Sequence, residues 1–316
     1  MLLHVSNRTM VPAAFVGAVT ALSIMVVAVG GVVRVLEAGL GCPDWPLCYG
    51  QVVPPGSGPA VIEFSHRVVA GLFSLSVLWL AVAAWRGRGG GSMASPQAQA
   101  RMALARLAVW AAVLIGVQVV LGGLNVLTEL SPEVGATHLA VAMVLVGLLA
   151  GATELAAAAH RGVPASGPGS AEARSRLRAG LVIAVLAVVV VVIGGYMRAR
   201  GASLACTDWP LCRGRVLPEL AWPVLLHWLH RVSALALGVA LAVGAWRFRG
   251  RYGWALGLYV AQAALGALGV VWLLPPVVRV AHLTVAAMLV ALVASEVARG
   301  FLEVRIRSQL PERLGA

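Results

Sequence analysis

Eight long apolar stretches constrain this chain more than any other feature of its sequence. Each lacks charged residues, and most are long enough, at about 20 residues, to cross a bilayer as a helix. They span 9–33, 68–85, 107–128, 134–153, 179–197, 232–246, 252–278 and 280–295. Strand-like alternation of apolar and polar residues is absent from them, which excludes a transmembrane barrel. The sequence therefore predicts an all-α, polytopic membrane protein with eight transmembrane helices.

Composition and charge support this prediction and orient the helices. Hydrophobic residues make up 60% of the 316 residues and charged residues 11%, whereas a soluble domain is nearer half apolar and a quarter charged. The net charge of +12 arises from arginines alone, since the chain has no lysine. Of the 24 arginines, 16 lie in the amino terminus, in the connections 86–106, 161–178 and 247–251, and in the tail. Because basic loops stay in the cytoplasm, we expect both termini there, a cytoplasmic (inner) membrane location, and no nucleic-acid partner.

The sequence contains one unit twice. Three motifs of the first half return 164 residues later, and three more return 144 residues later. They are Gly-Gly-x-x-Arg at 30–34 and 194–198, the cysteine loops at 42–48 and 206–212, His-Arg-Val at 66–68 and 230–232, Gln at 118 and 262, Leu-Gly at 121–122 and 265–266, and His-Leu at 138–139 and 282–283. An even number of helices per unit inserts both copies in one orientation. We therefore expect two tandem four-helix bundles related by a pseudo-twofold axis along the membrane normal.

This repeat divides the chain into three parts. Residues 1–160 form the first unit, 161–178 a cytoplasmic linker rich in small residues, and 179–316 the second unit. We expect each unit to carry its own site.

Four of the seven histidines recur at related places. His66, His138, His230 and His282 each lie near the non-cytoplasmic start of an even-numbered helix. The second and fourth helices of a bundle can face each other, so each pair of imidazoles suits the axial ligation of a haem iron. Hydrogen bonding between helices is the alternative, but it accounts less well for a duplicated pattern at matching depth. Zinc is disfavoured because no third ligand accompanies each pair.

Position 63 breaks the repeat. Glu63 lies three residues before His66, hence on the same helix face, whereas its counterpart in the second half is His227. A carboxylate beside an apolar pocket is costly unless it has a partner or a function, so we interpret Glu63 as a proton acceptor. An exposed glutamate favoured by the helix dipole is the alternative. The asymmetry indicates that the first half does the chemistry and the second half holds a fixed cofactor.

The four cysteines form two Cys-x5-Cys loops on the non-cytoplasmic side, where disulfides persist. We expect Cys42 to pair with Cys48, and Cys206 with Cys212, so that two local disulfides stiffen the caps over the two sites. A redox-active dithiol is the alternative.

Four arginines lie at the same outer surface, against the positive-inside trend. They are Arg34, Arg67, Arg198 and Arg231. Because haem carries two propionates and arginine binds carboxylates through a planar fork, these residues are candidate propionate ligands. Extension of the side chains to lipid headgroups is the alternative.

Together these motifs resemble the haem A synthase family. The resemblance extends over residues 15–300 and rests on the loop 39–48, the Glu-Phe-Ser-His-Arg segment 63–67, the Thr-His-Leu segment 137–139, and the second-half counterparts. Members of that family convert haem O to haem A for terminal oxidases, by oxidising a ring methyl to a formyl group. The resemblance implies a haem b cofactor on His230 and His282. It also implies a substrate haem near His66 and His138, with Glu63 essential for the oxidation.

The implied partners are haem O, the lipid bilayer and an electron acceptor, with haem O synthase and terminal-oxidase assembly factors as further candidates. An iron held by two histidines has no open position for dioxygen. We therefore expect electron removal from the substrate haem, attack of water on the methyl carbon, and proton transfer to Glu63. The main alternative is a two-haem subunit that passes electrons from quinol outward. A transporter is disfavoured because the polar residues concentrate at the outer helix ends rather than at the midplane.

Overall fold

The computed structural model describes residues 10–54, 56, 58–89, 95–161, 170–219 and 221–307. Within these residues the chain forms eight long α-helices and one short 3-10 helix, Ala202–Leu204. The long helices are α1 (Ala13–Val35), α2 (Gly58–Gly87), α3 (Pro96–Leu127), α4 (Pro132–Arg161), α5 (Ser170–Ala199), α6 (Trp222–Phe248), α7 (Arg251–Val271) and α8 (Pro276–Arg307). All eight are long and apolar enough to cross a membrane. The predicted all-α class with eight spans is confirmed.

Three helices begin further out than the apolar stretches that predict them. The early starts are Gly58 in α2, Trp222 in α6 and Pro276 in α8. His66 and His230 therefore lie inside helices, as does His282, which the apolar stretch 280–295 already contains. Conversely, α7 ends at Val271, short of the predicted residue 278, because prolines separate it from α8.

Helix α5 begins at Ser170, inside the predicted linker 161–178. Arg176 Nε lies 3.4 Å from Glu172 Oε1, and such a pair one turn apart supports a helix. The second part of that linker is thus helical despite its charges. Residues 162–169, which the linker prediction also covers, lie outside the described residues.

The helices form two closed rings. In the first, each of α1–α4 contacts the next, and α1 contacts α4; helices α5–α8 repeat this arrangement. The rings meet where α1 and α4 face α5 and α8. Matched contacts of this kind support the predicted pseudo-twofold relation between the halves, which itself stays a prediction.

Glycines bring the two rings close together at this seam. A Cβ on Gly31 would lie 2.9 Å from Leu283 Cδ2, and one on Gly195 would lie 3.2 Å from Leu139 Cδ2. Small residues allow helix backbones to approach in this way. Each leucine directly follows a site histidine of the other half. Gly31 and Gly195 therefore set how closely each half approaches the leucine that follows a site histidine of the other half.

Ion pairs join the halves at both ends of α4. Arg200 Nη2 lies 2.5 Å from Glu133 Oε1 at the start of α4, and Arg251 Nη1 lies 2.5 Å from Glu154 Oε1 near its end. Partly exposed pairs contribute little to stability. We infer that these two contacts orient the rings rather than hold them together.

Candidate functional site

Each of the four site histidines packs its imidazole against a glycine of the preceding helix. If a Cβ were added to each glycine, the distance from that Cβ to the nearest imidazole atom would measure how closely the glycine and the histidine pack. It is 2.7 Å for Gly194 and His230, 3.1 Å for Gly30 and His66, 3.2 Å for Gly266 and His282, and 3.7 Å for Gly122 and His138. A methyl group at the tightest of these places would displace the ring. The repeated glycines therefore define where the imidazoles lie.

Electrostatic interactions link the four histidines in two pairs. His66 on α2 interacts with His138 on α4, and His230 on α6 does so with His282 on α8. Both members of a pair thus lie near each other within one ring, and their role as haem ligands stays a prediction.

The imidazole nitrogens differ in their contacts. His282 Nδ1 lies 3.1 Å from the Gln262 carbonyl oxygen, and such a contact fixes the tautomer in which Nε2 binds a metal. Nδ1 of His66, His138 and His230 is buried without a hydrogen-bond partner among the described residues. Imidazole nitrogens that no protein group occupies are thus present in both halves, and they are the donor atoms that a haem iron would bind.

Both predicted disulfides are present and buried. Cys42 and Cys48 have Cα atoms 4.7 Å apart, and Cys206 and Cys212 have theirs 4.6 Å apart. An antiparallel bridge closes each loop, from Cys48 to Gln51 and from Cys212 to the corresponding arginine. The two loops are thus built alike, each beside the end of its ring where α2 or α6 begins.

Glu63 is buried and anchors the first loop to α2. Its side chain is 5% exposed. Oε2 accepts a hydrogen bond from the Cys42 backbone N–H at 2.9 Å, and Oε1 accepts from Arg67 Nε at 3.1 Å and Nη2 at 2.5 Å. The interpretation as an exposed helix-start glutamate is therefore wrong.

His227 makes the equivalent contact in the second half. The Cys206 backbone N–H donates to His227 Nδ1 at 3.3 Å, and the histidine is 4% exposed. Glutamate in the first half and histidine in the second thus both accept the backbone N–H of the first cysteine of a loop. Sequence reasoning missed this shared contact. The signal was available, because 21 residues separate the first cysteine of each loop from this position in both halves.

Arg67 and Arg231, two of the predicted propionate ligands, donate hydrogen bonds to backbone carbonyls of the disulfide loops. Arg67 Nη1 donates to the Leu47 carbonyl at 2.8 Å and Nη2 to the Asp44 carbonyl at 3.1 Å. Arg231 donates to the Leu211 carbonyl and, at 3.2 Å, to the Cys206 carbonyl. Arg67, which also donates to Glu63, has few N–H groups left for a carboxylate of a ligand, whereas Arg231 uses two of its five.

The other two predicted propionate ligands are available. Arg34 and Arg198 make no hydrogen bond or ion pair with any residue in the described ranges. Arg198 lies within electrostatic range of Arg34 and of Arg279. Three partly buried cations therefore lie near one another at one end of the seam, and Arg279 is the member that sequence reasoning missed.

An aspartate organises the turn of each loop. Asp44 accepts hydrogen bonds from the backbone N–H groups of Tyr49 at 2.6 Å and Gly50 at 2.7 Å, and Asp208 binds the same two positions of the second loop. These donors, the Gly50 N–H above all, lower the pKa of the exposed Asp44 carboxyl from its usual 3.8. A lowered pKa in the folded state stabilises the loop above pH 3.8, and this contribution is lost as the pH falls through the lowered value.

Replacing Asp44 with alanine is expected to loosen the first loop at neutral pH. Its turn then lacks an acceptor for two N–H groups, so amide hydrogens of Tyr49 and Gly50 should exchange on the order of tenfold faster. Hydrogen exchange followed by mass spectrometry measures this. Asp208→Ala should affect only the second loop, and each variant serves as the control for the other. Equal exchange in Asp44→Ala and the unaltered protein contradicts the prediction.

The known proteins that this chain resembles belong to one family. The family described as COX15-CtaA, cytochrome oxidase assembly protein, matches residues 13–61 and 57–294. A protein of Symbiobacterium thermophilum named heme A synthase is 34% identical over 269 residues, which is 79% of this chain and 82% of that protein. Proteins of the same name from Halalkalibacterium halodurans and Geobacillus thermodenitrificans are 33% identical over 72% of this chain and 31% identical over 83% of it, covering 73% and 83% of their own lengths. The chain belongs to the haem A synthase family of cytochrome oxidase assembly proteins.

Proposed function

We propose that this membrane protein is a haem A synthase, an oxidoreductase that converts the ring methyl of haem O to the formyl group of haem A. One observation carries the proposal. Two glycine-lined histidine pairs share one geometry, but a carboxylate accompanies only the pair in the first half. Pure electron transfer between two haems gives no reason for this asymmetry, whereas division into a substrate site and a cofactor site does.

The two halves take different haems in this proposal. His230 and His282 hold haem b, which exchanges electrons when bound, and His66 and His138 hold the substrate haem O. Arg34 and Arg198, whose guanidinium groups are not occupied by the loops, bind propionates. Residues 1–160 then form the catalytic half and residues 179–316 the cofactor half.

The oxidation uses water, because an iron with two imidazole ligands leaves no position for dioxygen. In the first stage the methyl carbon gains a hydroxyl from water and releases two electrons and two protons. In the second stage the alcohol becomes an aldehyde and releases two more of each. The electrons leave to an electron acceptor. Glu63 takes a proton from the attacking water at Oε2: each carboxylate oxygen has two lone pairs, Oε1 already accepts two N–H groups of Arg67, and Oε2 accepts only the Cys42 N–H.

The proposed location in the cell rests on the arginines and the cysteines. The arginine-rich connections support a cytoplasmic position for both termini and the cytoplasmic membrane as the location. The histidine pockets and disulfide loops then lie toward the outer side, where disulfides persist. Haem O synthase and terminal-oxidase assembly factors are the proposed neighbours, since one supplies the substrate and the others use the product.

The function is tested by the haems that the protein binds and makes. The purified protein supplied with haem O is expected to yield haem A beside haem b, when the extracted haems are identified by mass. Haem b alone, with haem O returned unchanged, contradicts the proposal and favours the two-haem electron-transfer subunit.

The source of the formyl oxygen tests the chemistry separately. In water labelled with oxygen-18, the haem A formed should carry the label, provided that the extraction is fast enough to limit exchange of the aldehyde oxygen. The control adds unlabelled haem A to the same labelled buffer and measures that exchange. A second reaction uses labelled dioxygen in unlabelled water. A formyl oxygen that derives only from this dioxygen overturns the water route.

A further inference from the structure

One polar residue of the first half has no counterpart in the second. Asn125 lies on α3 one turn beyond Gly122, which packs against His138, so it shares the face that contacts the first histidine pocket. The residue 144 positions later is Gly269. This difference, like that between Glu63 and His227, separates the proposed substrate site from the proposed cofactor site.

The amide of Asn125 presents a fixed, unused acceptor. Nδ2 donates to the Leu121 carbonyl at 3.0 Å, and this contact sets the orientation of the amide, since the oxygen cannot face a carbonyl. Oδ1 is buried and accepts no hydrogen bond from any residue that the structure describes. An acceptor buried without a donor is costly, and a donor on a ligand would remove that cost.

Asn125 Oδ1 lies beside a glycine and near a cation. A Cβ on Gly135 would lie 3.4 Å from Asn125 Oδ1 and 3.7 Å from Arg34 Nη2. The counterpart of Gly135 in the second half is Arg279. The first half therefore has an acceptor and a residue without a side chain where the second half has a glycine and a third cation.

The chemistry of the substrate supplies a matching donor. In haem A the formyl group shares its pyrrole with a propionate, so a propionate on Arg34 brings the reacting methyl carbon to the side of Asn125. We infer that Asn125 is a substrate-binding residue, whose Oδ1 accepts a hydrogen bond from the hydroxyl that the first oxidation places on that carbon. This inference rests on the proposed function. Haem b has no such hydroxyl, which agrees with glycine at the equivalent place.

The expected consequence of this hydrogen bond is that the alcohol intermediate stays bound in the pocket. The hydroxyl oxygen comes from water in the first stage, and the alcohol must stay in the pocket until it loses two further electrons and two protons to the acceptors already proposed. Asn125 takes neither electrons nor protons. It holds the hydroxyl in place between the two stages.

The test replaces Asn125 with glycine, the residue of the second half. The purified variant and the unaltered protein receive haem O, and the extracted haems are separated and identified by mass. The ratio of alcohol to formyl product is expected to rise about three- to tenfold, the effect of one hydrogen bond to a neutral acceptor. Uptake of haem O and content of haem b, both read from the same extracts, should not change.

Two further variants decide what an altered ratio means. Gly269→Asn places the amide in the second half, where its Cβ meets only ordinary contacts of 3.8 Å and 3.9 Å, and it should leave the ratio unchanged. Asn125→Asp keeps an acceptor oxygen and should keep the ratio near that of the unaltered protein. An unchanged ratio in Asn125→Gly, or a ratio raised equally in Asn125→Asp, overturns the inference. Failure of the unaltered protein to oxidise haem O overturns the proposed function instead.

Discussion

Replacing Gly194 with alanine is expected to remove most of the haem from the second half, although no ligand is changed. The new methyl group would lie 2.7 Å from an imidazole carbon of His230 and 2.9 Å from its Nδ1, which is closer than atoms approach. The ring must move, and displacing a ligand from its supporting contacts lowers affinity about 10- to 100-fold. Haem b content per protein and the optical spectrum of a bis-imidazole haem measure the loss.

A matched series of glycines separates this effect from damage to the helices. Gly257 on α7 has nothing within 4 Å of its Cβ position, so Gly257→Ala should retain the haem. Alanine favours a helix over glycine by about 1 kcal/mol, and hence the substitution itself does not weaken α5. Gly266→Ala, at 3.2 Å from His282, should lose less haem than Gly194→Ala. Equal loss in Gly257→Ala and Gly194→Ala contradicts the proposed role of the glycines.

The sequence predicts the eight helices correctly and proposes the histidine pairs, because both depend on local pattern. Apolar runs of bilayer length define the helices, and the repeat marks His66 and His230 as equivalent without knowledge of any contact. The apolar runs alone begin later than α2 and α6, because the first turns of these helices contain residues such as Glu63 that are polar yet buried. Hydropathy cannot distinguish a polar residue with a buried partner from an exposed one.

Contacts between distant parts of the chain could not be predicted. The bond from Cys42 N–H to Glu63 depends on how the loop folds back onto α2, and no periodicity describes that path. For the same reason Arg67, adjacent to a site histidine, was assigned to a propionate although it binds loop carbonyls. Arg279 was overlooked because it becomes a neighbour of Arg198 only when α8 packs against α5.

Glu63→Gln is expected to produce the largest loss of haem O oxidation while both haems stay bound. A glutamine oxygen can still accept the Cys42 N–H, so the loop keeps this contact, but the amide NH2 cannot accept from Arg67 and the amide cannot take a proton at neutral pH. General base catalysis contributes about 10²- to 10⁴-fold, and the rate of product formation should fall by that factor. The measurement is the yield of alcohol and formyl haem per unit time, together with the haem content of the same sample.

The two roles of Glu63 can be separated by comparing this variant with Glu63→Leu and Glu63→His. Leucine removes the anchor and the base, so the Cys42–Cys48 disulfide should become easier to reduce, as followed by thiol labelling. Histidine restores the contact that His227 makes with Cys206, so reduction should again be slow. If Glu63→Gln keeps a slowly reduced disulfide and loses turnover, the carboxylate acts on the proton. Full turnover in Glu63→Gln would leave Glu63 with the anchoring role alone, the same role that its counterpart has in the second half.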